Sequence, residues 1–224
     1  MKFTFSCLLI FVLCMTKPFE VYSQNSDSTS GKAIKLNIAL FSSNKNAAAA
    51  SLDSFELNKL KEGDFLLRKG YGWISDRIAD ILNEELRITH CGLLLKTGFA
   101  EPHVLHCMSN DKINGIFVES LTSYLKESQH GSLIAVRIKD TERCEAVVLE
   151  SKRLLAKKVP FDLAFNDADS SSFYCAELFA HVFKNVWGKD LLPEKINIYG
   201  MRAIRMRNFL NEALFDIIFN QFEY

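Results

Sequence analysis

From Leu60 onward the chain alternates short apolar runs with amphipathic stretches, and that alternation predicts most of its elements. Residues 64–68 form an apolar run just after Gly63 and read as a strand. Trp73, Ile74, Arg77, Ile78, Ile81 and Leu82 recur at helical spacing, which predicts an amphipathic helix over 73–83. Residues 88–96 and 104–108 read as two strands joined by a loop with Gly98 and Pro102, a hairpin. Further strands are expected over 116–119 and 133–138, with a short helix over 121–126 between them. A second long helix is expected over 141–158, stopped before Pro160. A loop carrying Asp162, Asp167 and Asp169 leads to three serines, and Ser172 is a natural cap for a helix bearing Leu178, Phe179, Val182 and Phe183. Gly188 ends that helix. The tail over 201–224 reads as a further amphipathic segment, with a broad apolar stripe through Phe209, Leu214, Phe215 and Ile218 if it is helical. This order of elements predicts an α+β fold with a small antiparallel sheet packed with helices.

The first residues follow another logic. Lys2 precedes an almost unbroken apolar run over 3–15, a break at Lys17 and Pro18, and a small residue at Ser23. This reads as a secretory signal peptide over 1–23, too short for a membrane span, which needs about 20 apolar residues. Residues 24–59 then read as a flexible leader, with a possible short strand over 34–41 and an alanine-rich stretch over 44–51. Residues 60–224 read as the folded domain with a C-terminal helical extension. The expected location is the periplasm or the extracellular space.

Composition narrows the choice of partner. The 27 basic and 27 acidic residues cancel, so nothing favours nucleic acid, which needs a local excess of Lys and Arg. Without the signal peptide four cysteines remain, Cys91, Cys107, Cys144 and Cys175. An even count in an exported protein invites disulfides, but a domain of this size does not need them. Whether Cys91 and Cys107 pair stays open.

Three residues carry the candidate chemistry. Cys175 falls in the first turn of its helix, where free N–H groups and the positive helix end favour a thiolate and can also receive an oxyanion. On the hairpin, His90 shares a face with Gly92, and His106 shares one with Val104, while Cys91 and Cys107 point away. A turn centred on Gly98 would set His90 opposite His106, with Cβ atoms about 5 Å apart. One imidazole could then take the thiol proton while the other orients it. The alternative is a pair of structural histidines. Zinc is disfavoured because an adjacent His and Cys on a strand face opposite ways. The aspartates of the 162–169 loop lack calcium-loop spacing and suit loop hydrogen bonds.

With those residues placed, the chain from 62 to about 187 resembles the circularly permuted NlpC-type papain-like amidases, the YaeF/YiiX group, relatives of lecithin–retinol acyltransferase. The matching pieces are Gly63-Asp64, Thr89-His90-Cys91-Gly92, Pro160-Phe161-Asp162 and Phe173-Tyr174-Cys175-Ala176-Glu177-Leu178. Histidine ahead of cysteine is the permuted order. The resemblance implies a permuted papain-like fold, Cys175 as nucleophile, His90 as base and His106 as the third polar residue, a position where many members carry Glu. It also implies that Tyr174 and Asp64 line the site, and that no metal or organic cofactor is needed. The expected reaction is thiolate attack on an amide or ester carbonyl through an acyl-enzyme. Export favours a cell-wall peptide substrate. The acyltransferase kinship and the apolar tail keep open a lipid amide or ester, with peripheral membrane contact through the C-terminal segment. A binding protein on the same scaffold is a third reading, and the oligomeric state is left open.

Overall fold

The structure is a computed structural model that describes residues 48–167, 170–198 and 200–222. The expected signal peptide and the 34–41 strand lie outside the described residues. The leader was expected to run to 59, but its last part belongs to the fold. Ala49 bridges to Gln129, Ala50 is buried, and helix α1 (Ser54–Lys59) is capped by Asp53, whose side chain accepts from Glu56 N.

Six strands make one antiparallel sheet: β1 (Phe65–Gly70), β2 (His90–Leu95), β3 (His103–Ser109), β4 (Asn114–Ser120), β5 (Ser128–Ile138) and β8 (Phe215–Asn220), in the order β4-β3-β2-β1-β5-β8. A separate hairpin pairs β6 (Lys195–Ile198) with β7 (Met201–Ile204). Helix α2 (Gly72–Leu82) follows β1, and the short α3 (Leu121–Lys126) links β4 to β5. Helices α4 (Cys144–Ala156) and α5 (Cys175–Trp187) come between β5 and β6. The α+β class and the expected strands and helices of 64–158 are therefore found, with shifts only at their ends.

Strand alternation sorts the sheet into two faces. Leu67, Cys91, Leu93, Leu105 and Cys107 pack under α4 and α5 in the larger core. Leu66, Leu94, Val104 and Leu133 point the other way and close over Tyr124 of α3 in a smaller core. The larger core centres on Phe65, whose ring meets Phe179, Phe183, Phe209 and Phe215 at 5.0–6.1 Å.

The C-terminal helical extension is corrected. Residues 201–220 form β7, a 3-10 turn (Met206–Leu210) and the edge strand β8. Asn208 and Asn211 break the helical path: Asn208 Nδ2 donates to Glu194 O at 2.8 Å, and the Asn211 side chain accepts from Ala213 N at 3.0 Å. Tertiary pairing with β5 then overrides the helical reading of the apolar spacing.

Candidate active site

The hairpin β2–β3 pairs Leu93 with Leu105 and Leu94 with Val104. The turn is thus centred one residue beyond Gly98, and Gly92 rather than His90 faces His106. Parity is unchanged, so both imidazoles remain on one face and meet along a diagonal. His90 Nε2 lies 2.7 Å from His106 Nδ1, with the rings edge to face at 83°. Glycine at 92 makes this approach feasible. A Cβ there would stand 2.4 Å from Val104 Cγ1 and 3.3 Å from His106 Cβ.

A third member was not foreseen. Glu119 on β4 lies on the same face, and its Oε1 is 2.9 Å from His106 Nε2. The carboxylate can only accept, so His106 carries its proton on Nε2 and presents a bare Nδ1. His90 must then donate from Nε2, which leaves His90 Nδ1 as the free acceptor. The hydrogen-bond pattern therefore fixes both tautomers. Extending the face argument from β3 to β4 would have found Glu119, because β4 pairs it with Val104, the face-mate of His106.

The surroundings keep these imidazoles neutral. Burial, then the charge of Arg68 and of His106, hold His90 well below the usual histidine range. Burial also lowers His106, outweighing the Glu119 hydrogen bond that raises it, and Arg68 acts in the same direction as burial. Arg68 is the direct cross-strand partner of His90 on β1, and its guanidinium lies over the Tyr124 ring at 4.5 Å.

Cys175 is the first residue of α5 and 6% exposed. The cap is Tyr174, not the expected Ser172, because Tyr174 is the last extended residue and its N–H donates to Glu177 Oε2 at 3.2 Å. A hydrogen bond from the Cys91 thiol, chiefly, and others from the backbone N–H groups of Cys91 and Ala176 lower the Cys175 thiol, against burial, and Arg68 adds to the lowering. The other thiols move the opposite way: burial raises Cys91, Cys107 and Cys144. All four are free. Cys175 thus abuts Cys91, the residue next to His90, while the ring of His90 lies on the Tyr124 side of the sheet. No hydrogen bond joins Cys175 to His90 among the described residues.

The two remaining expected site residues, Asp64 and Tyr174, have partners of their own. Asp64 is removed from the site, a correction to its expected place. It lies just before β1, four residues from Arg68, about 13 Å at strand rise, and is held by Arg137 at 2.7 and 2.9 Å. Its buried charge needs that partner, whose position over 70 residues away hid the role. Tyr174 adjoins Cys175, but its hydroxyl accepts from Ile204 N at 2.8 Å, which ties the helix start to β7. Asp162 accepts from Ala164 N and Asn166 N at 2.7 Å each, and Asp167 pairs with Lys195 and Arg202. Asp169 lies outside the described residues. No group of three or more His, Cys, Asp or Glu among the described residues converges as a metal site.

Comparison with known proteins adds the fold. No family model matches the chain, and no curated protein does. Among solved structures the chain is similar to the crystal structure of the metalloprotein YiiX from Escherichia coli O157:H7, with a TM-score of 0.58, 16% identity, and coverage of 74% of this chain and 99% of that one. The likeness is one of fold, an α+β arrangement of an antiparallel sheet packed with helices, and it falls on the same YiiX group that the motifs resemble.

Proposed function

We propose that this YiiX-like chain is an exported cysteine hydrolase of permuted papain-like type that cleaves amide bonds of cell-wall peptides. The observation that carries the reading is the chain of hydrogen bonds His90–His106–Glu119, at 2.7 and 2.9 Å, ending in a bare His90 Nδ1 one residue from the contact of Cys175. A histidine backed by an acceptor chain, and a cysteine with a lowered pKa at a helix N-terminus, are the groups that nucleophilic acyl transfer requires.

In this reading Cys175 Sγ yields its proton to His90 Nδ1 and bonds to the carbonyl carbon. The N–H of Ala176 at the helix start receives the oxyanion. Collapse breaks the C–N bond, and the His90 imidazolium returns its proton to the departing amine. His90 then takes a proton from water, whose oxygen displaces the thiolate and releases the acid. His106 and Glu119 keep Nδ1 bare and aimed throughout. The fold holds the Cys175 thiol against Cys91 and the His90 ring on the Tyr124 side of β2, so this reading requires a rearrangement on substrate binding that brings Sγ and Nδ1 together.

YiiX is described as a metalloprotein, so a metal needs testing against these residues. They do not fit one. His90 Nε2, both nitrogens of His106 and Glu119 Oε1 are engaged with each other, and His90 Nδ1 is left as a lone donor atom. The lipid reading loses the support of the tail, since Phe209 and Phe215 pack in the core rather than offering an acyl-chain surface.

The test is incubation of the purified protein with muropeptides, with acyl-enzyme trapped and weighed by mass spectrometry. The adduct should map to Cys175, and His90→Ala should abolish turnover. Iodoacetamide at neutral pH should label Cys175 well ahead of Cys91, Cys107 and Cys144. Binding with no adduct and equal labelling of the four thiols would leave a binding scaffold instead.

A further inference from the structure

Three thiols converge beneath the start of α5. That helix packs on β2 and β3 and opens with Cys175. Leu93 faces Leu105 across the hairpin, and the same register carried two residues further sets Cys91 opposite Cys107. Both lie in the larger core, on the α5 side of the sheet. Cys107 Sγ donates to Phe173 O at 3.0 Å, two residues ahead of Cys175, which seats the strand cysteines against the helix start. Cys144 stands apart, its thiol donating to Glu62 O at 3.5 Å.

Within this cluster the three sulfurs are not equivalent. The Cys91 thiol donates to Cys175, so these two meet sulfur to sulfur, while the Cys107 hydrogen is spent on a carbonyl. That hydrogen bond from Cys91, chiefly, holds Cys175 below the ordinary thiol range, and burial holds Cys91 above it. Cys175 is thus the sulfur that ionises more readily and attacks, and Cys91 the one that keeps its proton. An alanine would fill the core at this position, and a serine would donate the same hydrogen bond. Only a cysteine can go on to bond the sulfur it touches.

We propose that Cys175 and Cys91 form a peroxide-responsive thiol pair, in which Cys175 takes the oxygen and Cys91 resolves it to a reversible disulfide. The ionised Cys175 sulfur attacks hydrogen peroxide, an S–O bond forms, the O–O bond breaks and hydroxide leaves. The Cys91 sulfur then attacks the sulfenic sulfur. An S–S bond forms, the S–O bond breaks, and the departing hydroxyl takes the Cys91 proton as water. The net change turns two thiols and one peroxide into one disulfide and two waters. Peroxide is scarcely larger than water, which suits a Cys175 only 6% exposed. The inference needs the thiols alone and stands apart from the hydrolase reading. Under that reading the disulfide would close the nucleophile until a thiol reductant reopens it, and would spare it the irreversible sulfinic and sulfonic forms.

The test treats the full mature chain with hydrogen peroxide at neutral pH, blocks the remaining thiols and maps the products by mass spectrometry, with melting curves as a fold control. The wild-type chain should lose two hydrogens, yield a cross-linked peptide joining Cys91 to Cys175, and regain its starting mass with dithiothreitol. Cys91→Ser keeps a donor to Cys175 but cannot resolve it. That variant should give no cross-link, trap a dione probe at Cys175 and go on to the sulfinic form. Cys107→Ala should cross-link as the wild type does. A wild-type Cys175 that stops at the sulfenic or sulfinic form with no link to Cys91 overturns the inference, and so does a link from Cys175 to Cys107. A Cys175 that stays unoxidised while Cys144 reacts overturns it as well. If Cys91→Ser does not fold, the wild-type map decides alone.

Discussion

At the scale of single residues, the candidate site is a statement about protons. Glu119 fixes His106, His106 fixes His90, and each link removes one tautomer. Glu119→Gln tests that logic. An amide can turn its NH₂ toward His106 and reverse the chain, so turnover of muropeptides should drop by about 10²-fold while KM changes little, an effect in the range of general-base catalysis. The neutrality of the two imidazoles has a second consequence. Both are held below the ordinary value of about 6.5, so the unfolded chain binds more protons below that pH. Their contribution to stability is complete above pH 6.5 and is lost as pH falls further, at up to ~1.4 kcal/mol per pH unit for each group. Urea midpoints measured between pH 7.5 and 5 should fall, and His106→Gln should flatten the decline.

At the scale of elements, the small residue at 92 governs how closely β2 and β3 can bring their imidazoles together. Gly92→Ala puts a methyl into Val104 and presses on the His106 backbone side, which should cost about 1–3 kcal/mol of stability and lengthen the His90–His106 contact. A fall in melting temperature together with reduced turnover is the expected pair of results. Elements are also where the sequence is most readable. Alternation along β2 and β3 assigns His90, His106, Cys91 and Cys107 to their faces even when the turn centre is misjudged by one residue, because parity survives a shift of two in register. The same parity holds Glu119 and Arg68, but finding them requires knowing which strands flank the hairpin. That order is set by the pairing of β1 with β2 across the intervening helix α2, and of β4 with β3. The start of α5 was misassigned for a local reason: serines make good caps, yet Phe173 pairs with Phe161 and keeps the backbone extended as far as Tyr174.

At the scale of the whole molecule, the tail decides whether the larger core closes. Phe209 and Phe215 are fully buried against Phe65 and Phe183, and β8 completes the edge beside β5. Removing residues 208–224 strips two rings worth about 3–5 kcal/mol each and exposes β5, so the truncated chain should lose its cooperative melt and aggregate. A truncation that melts normally and loses only lipid turnover would restore the tail as a recognition element. The apolar spacing of this segment fits a helical stripe, and only the pairing with β5 discloses a strand, which is why sequence alone misjudged it. One surface groove lies away from the thiol. It measures about 680 Å³ and is lined by Ile138, Arg143, Trp187 and Leu214 at the far end of α5.

The meander β2–β3–β4 carries His90, His106 and Glu119 within 30 consecutive residues, whereas Cys175 arrives on a helix 56 residues beyond the last of them. Local contacts form early and distant ones wait for loop closure. The His90–His106–Glu119 half of the site is therefore expected to assemble first, as a hairpin and its neighbour. The thiol acquires its low-pKa setting only when α5 docks on β2. Until that step the chain holds an ordinary cysteine, so under the proposed function an unfolded polypeptide carries no activated nucleophile.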